Sequence, residues 1–481
     1  MTESSLTEVD PKKNTPENST SVSTSSRSSI EYEIQSYTRR WVILFISCTA
    51  IFLRGFNQSC YGPINSVFTK YLDVQPWQVD WFILAQSVVF LTMSLPMSWV
   101  TSRLGFRNSY LVMTASLILG FALTTVGCST RKGYIAIIAG QTIMGFSNII
   151  SWSIPPPTAA LWFPVNEVAT AVALQVVGRG VGESVGSILT PAIVWVAMPN
   201  KEIGFRLTIL FLVFTIISLV LTFAIFAAVK DEPPLPPSQA QAKAKHLRTE
   251  SNRDKSFSAA LKEYKQVIKE LFTNKYFVAV WFAFGAANPV LRNNSVLLSS
   301  ILSTTFCKYT WLNQKAGLVL MGGWLTYTVG GFIAGPIITK THKYKEVVFY
   351  SILFECLSCV VILIGIRLRI LQCVYAGVVV LGLSLGIANT SLFELLVEVT
   401  YPKPTMLVTM VNIIGMGIFR LIYPIIGRVM LSTIGPSAST AFPVAMTALA
   451  AIVIGIIQPT YYRHDSYKLQ EKEPLLLTNQ E

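Results

Sequence analysis

Charge is what this chain has least of. Only 13% of its 481 residues are Asp, Glu, Lys or Arg, while 52% are hydrophobic, against roughly a quarter charged in an ordinary soluble domain. That balance excludes a soluble globular protein and makes lipid the main solvent. Histidine is almost missing: His246, His342 and His464 complete the set, and all three fall in expected tails or loops, which removes histidine as an intramembrane proton relay. The seven cysteines, Cys48, Cys60, Cys128, Cys307, Cys356, Cys359 and Cys373, lie mostly inside apolar runs. Cys356 and Cys359 have CxxC spacing but no second pair or histidine cluster beside them, so they read as small packing residues, and no metal or cofactor is expected. Nor is there a nucleophile with its base or a phosphate loop, which argues against an enzyme. Residues 1–39 are rich in Ser, Thr, Asn and Glu and carry no apolar signal-peptide core; they are expected to form a disordered cytosolic tail.

Long apolar runs are what the chain does have. Each is near the ~20 residues that cross a ~30 Å hydrocarbon layer as a helix. Read between charge and turn signals, they predict helices over 40–62, 78–100, 109–128, 134–154, 168–198 and 207–229, then 276–303, 316–338, 347–366, 371–395, 405–431 and 440–457. The reading is an all-α polytopic membrane protein: an N-terminal six-helix bundle over 40–229, a cytosolic linker over 230–271 that opens with Pro233, Pro234, Pro236 and Pro237, a C-terminal six-helix bundle over 272–460, and a cytosolic tail over 461–481. The formal charge of +13 comes from basic residues in short connections, not from a stripe with interleaved aromatics, so no nucleic-acid partner is expected. Those residues favour the side bearing both termini and the linker, which is therefore assigned to the cytosol. On that topology the Asn18 sequon stays unglycosylated.

Four arginines lie deep in the expected spans. Arg54 is about 14 residues, or ~21 Å, beyond Arg40 at 1.5 Å per residue, and Arg179, Arg292 and Arg420 are similarly placed. A buried charge costs about 2.5–3.5 kcal/mol on insertion scales, so each needs a compensating environment or a function. They fall on the first, fifth, seventh and eleventh helices and avoid the third, sixth and twelfth. Leu53–Gln58 pairs loosely with Leu291–Ser295, and Gly178–Glu183 has the spacing of Gly415–Arg420, a weak internal repeat of the kind transporters carry. In that register Glu183 and Arg420 occupy equivalent places on opposite bundles and are expected to pair across a central cavity in one state and to separate in the other. The expected solute-binding set is Arg54, Asn57, Gln58, Tyr61, Gln175, Arg179, Glu183, Arg292, Asn293, Asn294, Asn412 and Arg420, with Trp281 as a further aromatic wall; the alternative is that the arginines are permanent structural ties. Glu183 is the candidate titrating group if transport is proton-coupled. Gly178, Gly180, Gly182 and Gly186 make a small-residue stripe suited to close helix contact.

Near the cytosolic ends, Ser102-Arg103-Leu104-Gly105-Phe106-Arg107 resembles the loop motif of major facilitator transporters, with serine at the acidic position. Ser102, Arg103, Gly105, Arg107, Glu394 and Glu398 form the expected gating set. Ile154-Pro155-Pro156-Pro157 ends the fourth helix. Glu471, Leu475 and Leu476 resemble an acidic dileucine sorting signal for a cytosolic adaptor. With that signal unused the plasma membrane is the expected address; with it, an endolysosomal membrane.

Several segments together resemble the feline leukaemia virus subgroup C receptor-related family of major facilitator transporters: Gly140-Gln141-Thr142, Ala159-Ala160-Leu161-Trp162-Phe163-Pro164, Val168-Ala169-Thr170-Ala171, Asp80-Trp81 and Phe393–Pro402. The resemblance implies the major facilitator fold of two pseudo-symmetric bundles and transport of a small-molecule solute; the family is associated with haem, choline or ethanolamine. Where choline-carrying relatives place a tryptophan in the first helix this chain has Gln58, so an aromatic cage is not evident and the arginines favour an organic anion or haem-like compound. Alternatives are choline or ethanolamine transport, or a solute-sensing receptor with little flux.

Overall fold

A computed structural model describes residues 37–235, 237, 257–306, 311–341, 343–400, 403 and 405–458. Every regular element among them is a helix: α1 (Arg39–Ser59), α2 (Asn65–Leu72), α3 (Pro76–Leu104), α4 (Phe106–Ser129), α5 (Tyr134–Ser153), α6 (Pro155–Trp162), α7 (Val165–Ile193) and α8 (Asn200–Ala228), then α9 (Phe257–Thr273), α10 (Lys275–Ala287), α11 (Pro289–Thr305), α12 (Leu312–Thr341), α13 (Tyr344–Arg367), α14 (Leu371–Thr400), α15 (Thr405–Thr433) and α16 (Pro436–Ile456). Ten are long and apolar enough to cross a membrane. With the polar α7 in fifth place and α10 with α11 in seventh, they follow the twelve-span order expected above. Glu471, Leu475 and Leu476 lie outside the described residues, as does most of the tail over 1–39.

Local chemistry sets the breaks. Pro155 lacks the N–H that would continue α5, so the chain restarts as the short α6. Pro289 interrupts the single seventh helix expected over 276–303 and divides it into α10 and α11. The Tyr423 hydroxyl donates to the Ala286 carbonyl at that break, supplying a buried acceptor that the interrupted ladder leaves poorly served. α2 was not expected: its two turns fold across the connection after α1 and bury Val67, Phe68, Tyr71 and Leu72.

The spans group into two bundles. α1 packs along α7, α3 on α5, and α4 between α5 and α8; in the second half α14 lies between α12 and α13, and α13 on α16. Gly178, Gly182 and Gly186 place α7 directly on the α1 backbone at Cys48, Phe52 and Phe56, so the glycine stripe is a packing face, whereas Gly180 faces Thr328 of α12 across the seam. Burial contrasts α1, with 72% of its apolar window buried, with α8, at 33%, whose Phe205, Val220, Phe223 and Phe226 are exposed to the surroundings. α7 against α12 and α3 against α15 join the bundles.

Candidate substrate site between the bundles

The four deep arginines converge. Arg54, on α1, is 1% exposed, and Arg179, Arg292, Arg420 and Glu183 all lie within its electrostatic range. Its Nη2 donates to Gln58 one turn along the same helix. Arg179, on α7, donates to the Ser151 carbonyl at 2.7 Å, and its guanidinium sits 4.2 Å from the centre of the Trp152 ring. Arg420, on α15, donates to Asn288 Oδ1 at 3.2 Å and lies 5.2 Å from that same indole. One tryptophan at the end of α5 thus holds a guanidinium from each bundle by cation–π attraction.

In this arrangement Glu183 and Arg420 are apart. Glu183 Oε1 accepts from Arg292 Nη2 at 2.6 Å, with both side chains nearly buried, and Arg292 also lies 4.5 Å from the Trp324 ring. The repeat register placed Glu183 and Arg420 at equivalent levels, but level along an axis does not fix which face crosses the seam; here it is Arg292 of α11 that meets α7. Four guanidinium nitrogens at this centre, Arg54 Nε and Nη1, Arg292 Nη1 and Arg420 Nε, are buried with no hydrogen-bond partner, against one unpartnered carboxylate oxygen, Glu183 Oε2. Donors exceed acceptors in a region where unsatisfied polar groups are costly.

The amides expected beside these arginines serve other ends. Asn57 and Tyr61 are buried in the N-terminal bundle, where Asn57 Nδ2 donates to Gln141 Oε1 at 2.9 Å and the Gln141 amide donates to Tyr61 Oη at 2.5 Å, with Phe68, Phe82 and Phe211 around the Tyr61 ring. Gln175 accepts from Ser47 at 2.6 Å within the same bundle. Asn293 and Asn294 line a small cavity inside the C-terminal bundle with Cys359 and Ser439. Asn412 is fully buried and both its amide atoms are unpartnered. The Trp281 ring packs edge-on against Phe272 and Phe419. Gln58, through Arg54, is the one amide of the expected set that touches the cluster.

The gating set is placed as follows. Gly105, at φ +84, turns the chain from α3 into α4, a conformation that favours glycine. The Asp231 carboxylate accepts from the Arg107 backbone N–H at 2.9 Å, while the Arg107 side chain donates to the Phe226 carbonyl at 2.7 Å. The acid missing at Ser102 is therefore supplied from just beyond α8, at the N-terminus of α4, where a helix dipole favours negative charge. Ser102 and Arg103 stand in the last turn of α3, with the Ser102 side chain outside the described set, and Arg103 stacks 4.6 Å from Trp99. Glu394 and the buried Glu398 occupy the last two turns of α14.

Sequence reasoning missed a second tie between bundles. Arg428, on α15, holds Asp80, on α3, through two hydrogen bonds, and Ser66 of α2 shares hydrogen bonds with Asn313 of α12. Arg428 was legible as a further charge in the eleventh span, and Asp80 as the acid opening the second.

Two bundles joined by α7 on α12 and α3 on α15, around a central charged cluster, describe a transporter. The sequence profile of the Major Facilitator Superfamily matches residues 47–306. The chain belongs to that superfamily. Relatives of this major facilitator protein include proteins named choline/ethanolamine transporter FLVCR2, at 24% identity in Rattus norvegicus over 89% of this chain and 76% of the relative, and at 24% in Homo sapiens over 90% and 81%. The mouse protein named choline/ethanolamine transporter FLVCR1 is 25% identical over 89% and 76%. Among solved structures, a D-xylose–proton symporter superposes with a TM-score of 0.68 at 12% identity, covering 88% of this chain and 98% of that one. FucP in an outward conformation superposes at 0.59 with 13% identity, over 88% and 100%. The sequence-based family reading and the major facilitator fold are thus borne out, and the chain is a multi-pass membrane transporter.

Proposed function

We propose that this transporter moves a small organic solute bearing an anionic group, by alternating access at the cluster of Arg54, Arg179, Arg292 and Arg420. The observation that carries this reading is the donor surplus: four buried, unpartnered guanidinium nitrogens against one carboxylate oxygen. Guanidinium groups stay charged and offer forked donors suited to carboxylate or phosphate. Arg179 and Arg420, both only partly buried and both on Trp152, present such donors from opposite bundles, so a ligand bound between them draws the bundles together. Lipid on the outside and solute within are the partners this implies; the basic-residue bias supports cytosolic termini, and the plasma membrane is the proposed address.

The relatives' printed names favour a second reading, choline or ethanolamine. Purified protein in proteoliposomes, offered labelled carboxylates, phosphate monoesters and choline in parallel, separates the two. Uptake of an anion that falls at least tenfold in Arg420→Gln supports the first. Saturable choline uptake, undiminished in Arg420→Gln and Arg54→Gln, establishes the second and makes the arginines structural ties.

A further inference from the structure

Glu355 lies outside the arginine site and outside every role assigned above. It stands midway along α13, on the face that also buries Val348, Ile352, Cys359 and Ile362. It is 0% exposed, and neither carboxyl oxygen has a hydrogen-bond partner.

The cations on the surrounding elements are engaged elsewhere or lie far along their helices: Arg292 of α11, a helix that shares a small cavity with Cys359 and Ile362, is held by Glu183, Arg428 of α15 is held by Asp80, and Lys275 stands with Tyr276 in the first turn of α10. α16, packed on α13, contains no titratable residue. α14 carries Cys373, Tyr375, Glu394 and Glu398; Gly377 lies against Ile362 and the Ser358 carbonyl, which sets Tyr375 and Glu394 roughly 10 Å or more along the axis from the level of Glu355 at 1.5 Å per residue. α12 contributes Lys315, Tyr327 and Lys340, the two lysines near its ends. On α15, Tyr423 is within electrostatic range of Glu355, while the Arg420 side chain one turn away is engaged with Asn288 and Trp152. Cys356 and Cys359 complete the set on α13 itself. An ionised carboxylate without a partner in so dry a place is strongly disfavoured, and such a group takes up a proton instead.

We propose that Glu355 is an intramembrane proton-binding site, holding a proton in the arrangement seen here and exchanging it with water when the bundle rearranges. In release, the Glu355 O–H bond breaks, the proton passes to water, and the carboxylate takes a hydrogen bond from Tyr423 Oη. That hydroxyl now donates to Ala286 at the α10–α11 break; the same break carries Asn288, held by Arg420, and leads into Arg292, held by Glu183. Proton occupancy is thereby read at the solute site. The inference rests on the transporter reading, not on the charge of the solute.

The test uses full-length protein with Glu355→Gln, a neutral side chain of the same shape, and Glu355→Asp, which keeps the acid. In lipid nanodiscs, infrared spectra titrated to alkaline pH should show a protonated carboxyl band in wild type and Glu355→Asp that is missing in Glu355→Gln. In proteoliposomes with trapped pyranine, protons moved per solute taken up, measured with the labelled carboxylates and choline, should fall at least tenfold in Glu355→Gln and recover in Glu355→Asp. A band unaffected by Glu355→Gln overturns the proposal, as does an unchanged proton-to-solute ratio. Choline uptake with a Glu355-dependent ratio leaves the proton site standing and defeats the anion reading alone.

Discussion

Arg428 grips Asp80 with two nitrogens, Nε on Oδ2 at 2.6 Å and Nη2 on Oδ1 at 2.7 Å, tying α15 to α3 across the seam between bundles. Asn65 of α2 donates to the same Asp80 oxygen at 2.9 Å, and the neighbouring Ser66 reaches Asn313 of α12. Both ion-pair side chains are largely buried, so the pair acts as a latch on the side opposite the chain termini.

Removing one partner leaves the other buried and uncompensated, a penalty of about 3–5 kcal/mol for the latched state. Asp80→Asn or Arg428→Gln should therefore shift the protein toward an arrangement open on that side. Spin labels at the exposed Val196 and Ile434, one on each bundle, should report a longer distance in either variant. An unchanged distance distribution contradicts the latch.

The Glu183–Arg292 pair is buried in the same way, so Arg292→Gln should lower thermal stability as well as transport, by about 3–5 kcal/mol for the broken pair. The double variant Glu183→Gln with Arg292→Gln should be destabilised by less than the sum of the single changes, with a coupling of about 1–3 kcal/mol. Melting curves of the four proteins in one detergent close the cycle; strict additivity means that the pair contributes nothing.

Gly105→Ala places a Cβ 2.9 Å from Asp231 Oδ1 at a residue with φ +84. This positive-φ, extended backbone, at ψ 174, is essentially reserved for glycine and makes alanine unfavourable by about 1–3 kcal/mol, and the displaced carboxylate weakens the cap on α4, worth about 0.3–1 kcal/mol. Asp231→Ala should cost only the smaller share. The checking measurement is the melting temperature, where Gly105→Ala should fall further than Asp231→Ala; equal falls argue that the turn carries no strain.

Gly62 lies where a Cβ would overlap the Ser295 backbone carbonyl of α11. Gly62→Ala should hold the two bundles apart at that point and reduce solute uptake at least tenfold while the protein still purifies as a monodisperse species. Uptake within twofold of wild type shows that the contact is not needed for the transport cycle.

The sequence made the spans legible because an apolar run of bilayer length is a strong signal, and it exposed the four arginines because charge is conspicuous there. It did not reveal α2, too short for its periodicity to register between two longer helices. It also passed over the Pro289 break, although the proline was in plain view, because the apolar run continues through it. Glu355 was equally visible as an acid within the ninth span and was overlooked beside the arginines.

By itself the sequence determined that the chain lives in lipid as two sets of spans and that its centre is rich in guanidinium groups; composition and hydropathy act locally along the chain and need no partner to be read. Only the tertiary structure decided which charges meet. Glu183 takes Arg292 and not Arg420, Asp80 takes Arg428, and Trp152 gathers Arg179 with Arg420. Pairing across a seam depends on the rotation of each helix about its axis, which is set by glycine contacts, proline breaks and side-chain packing summed over the whole bundle.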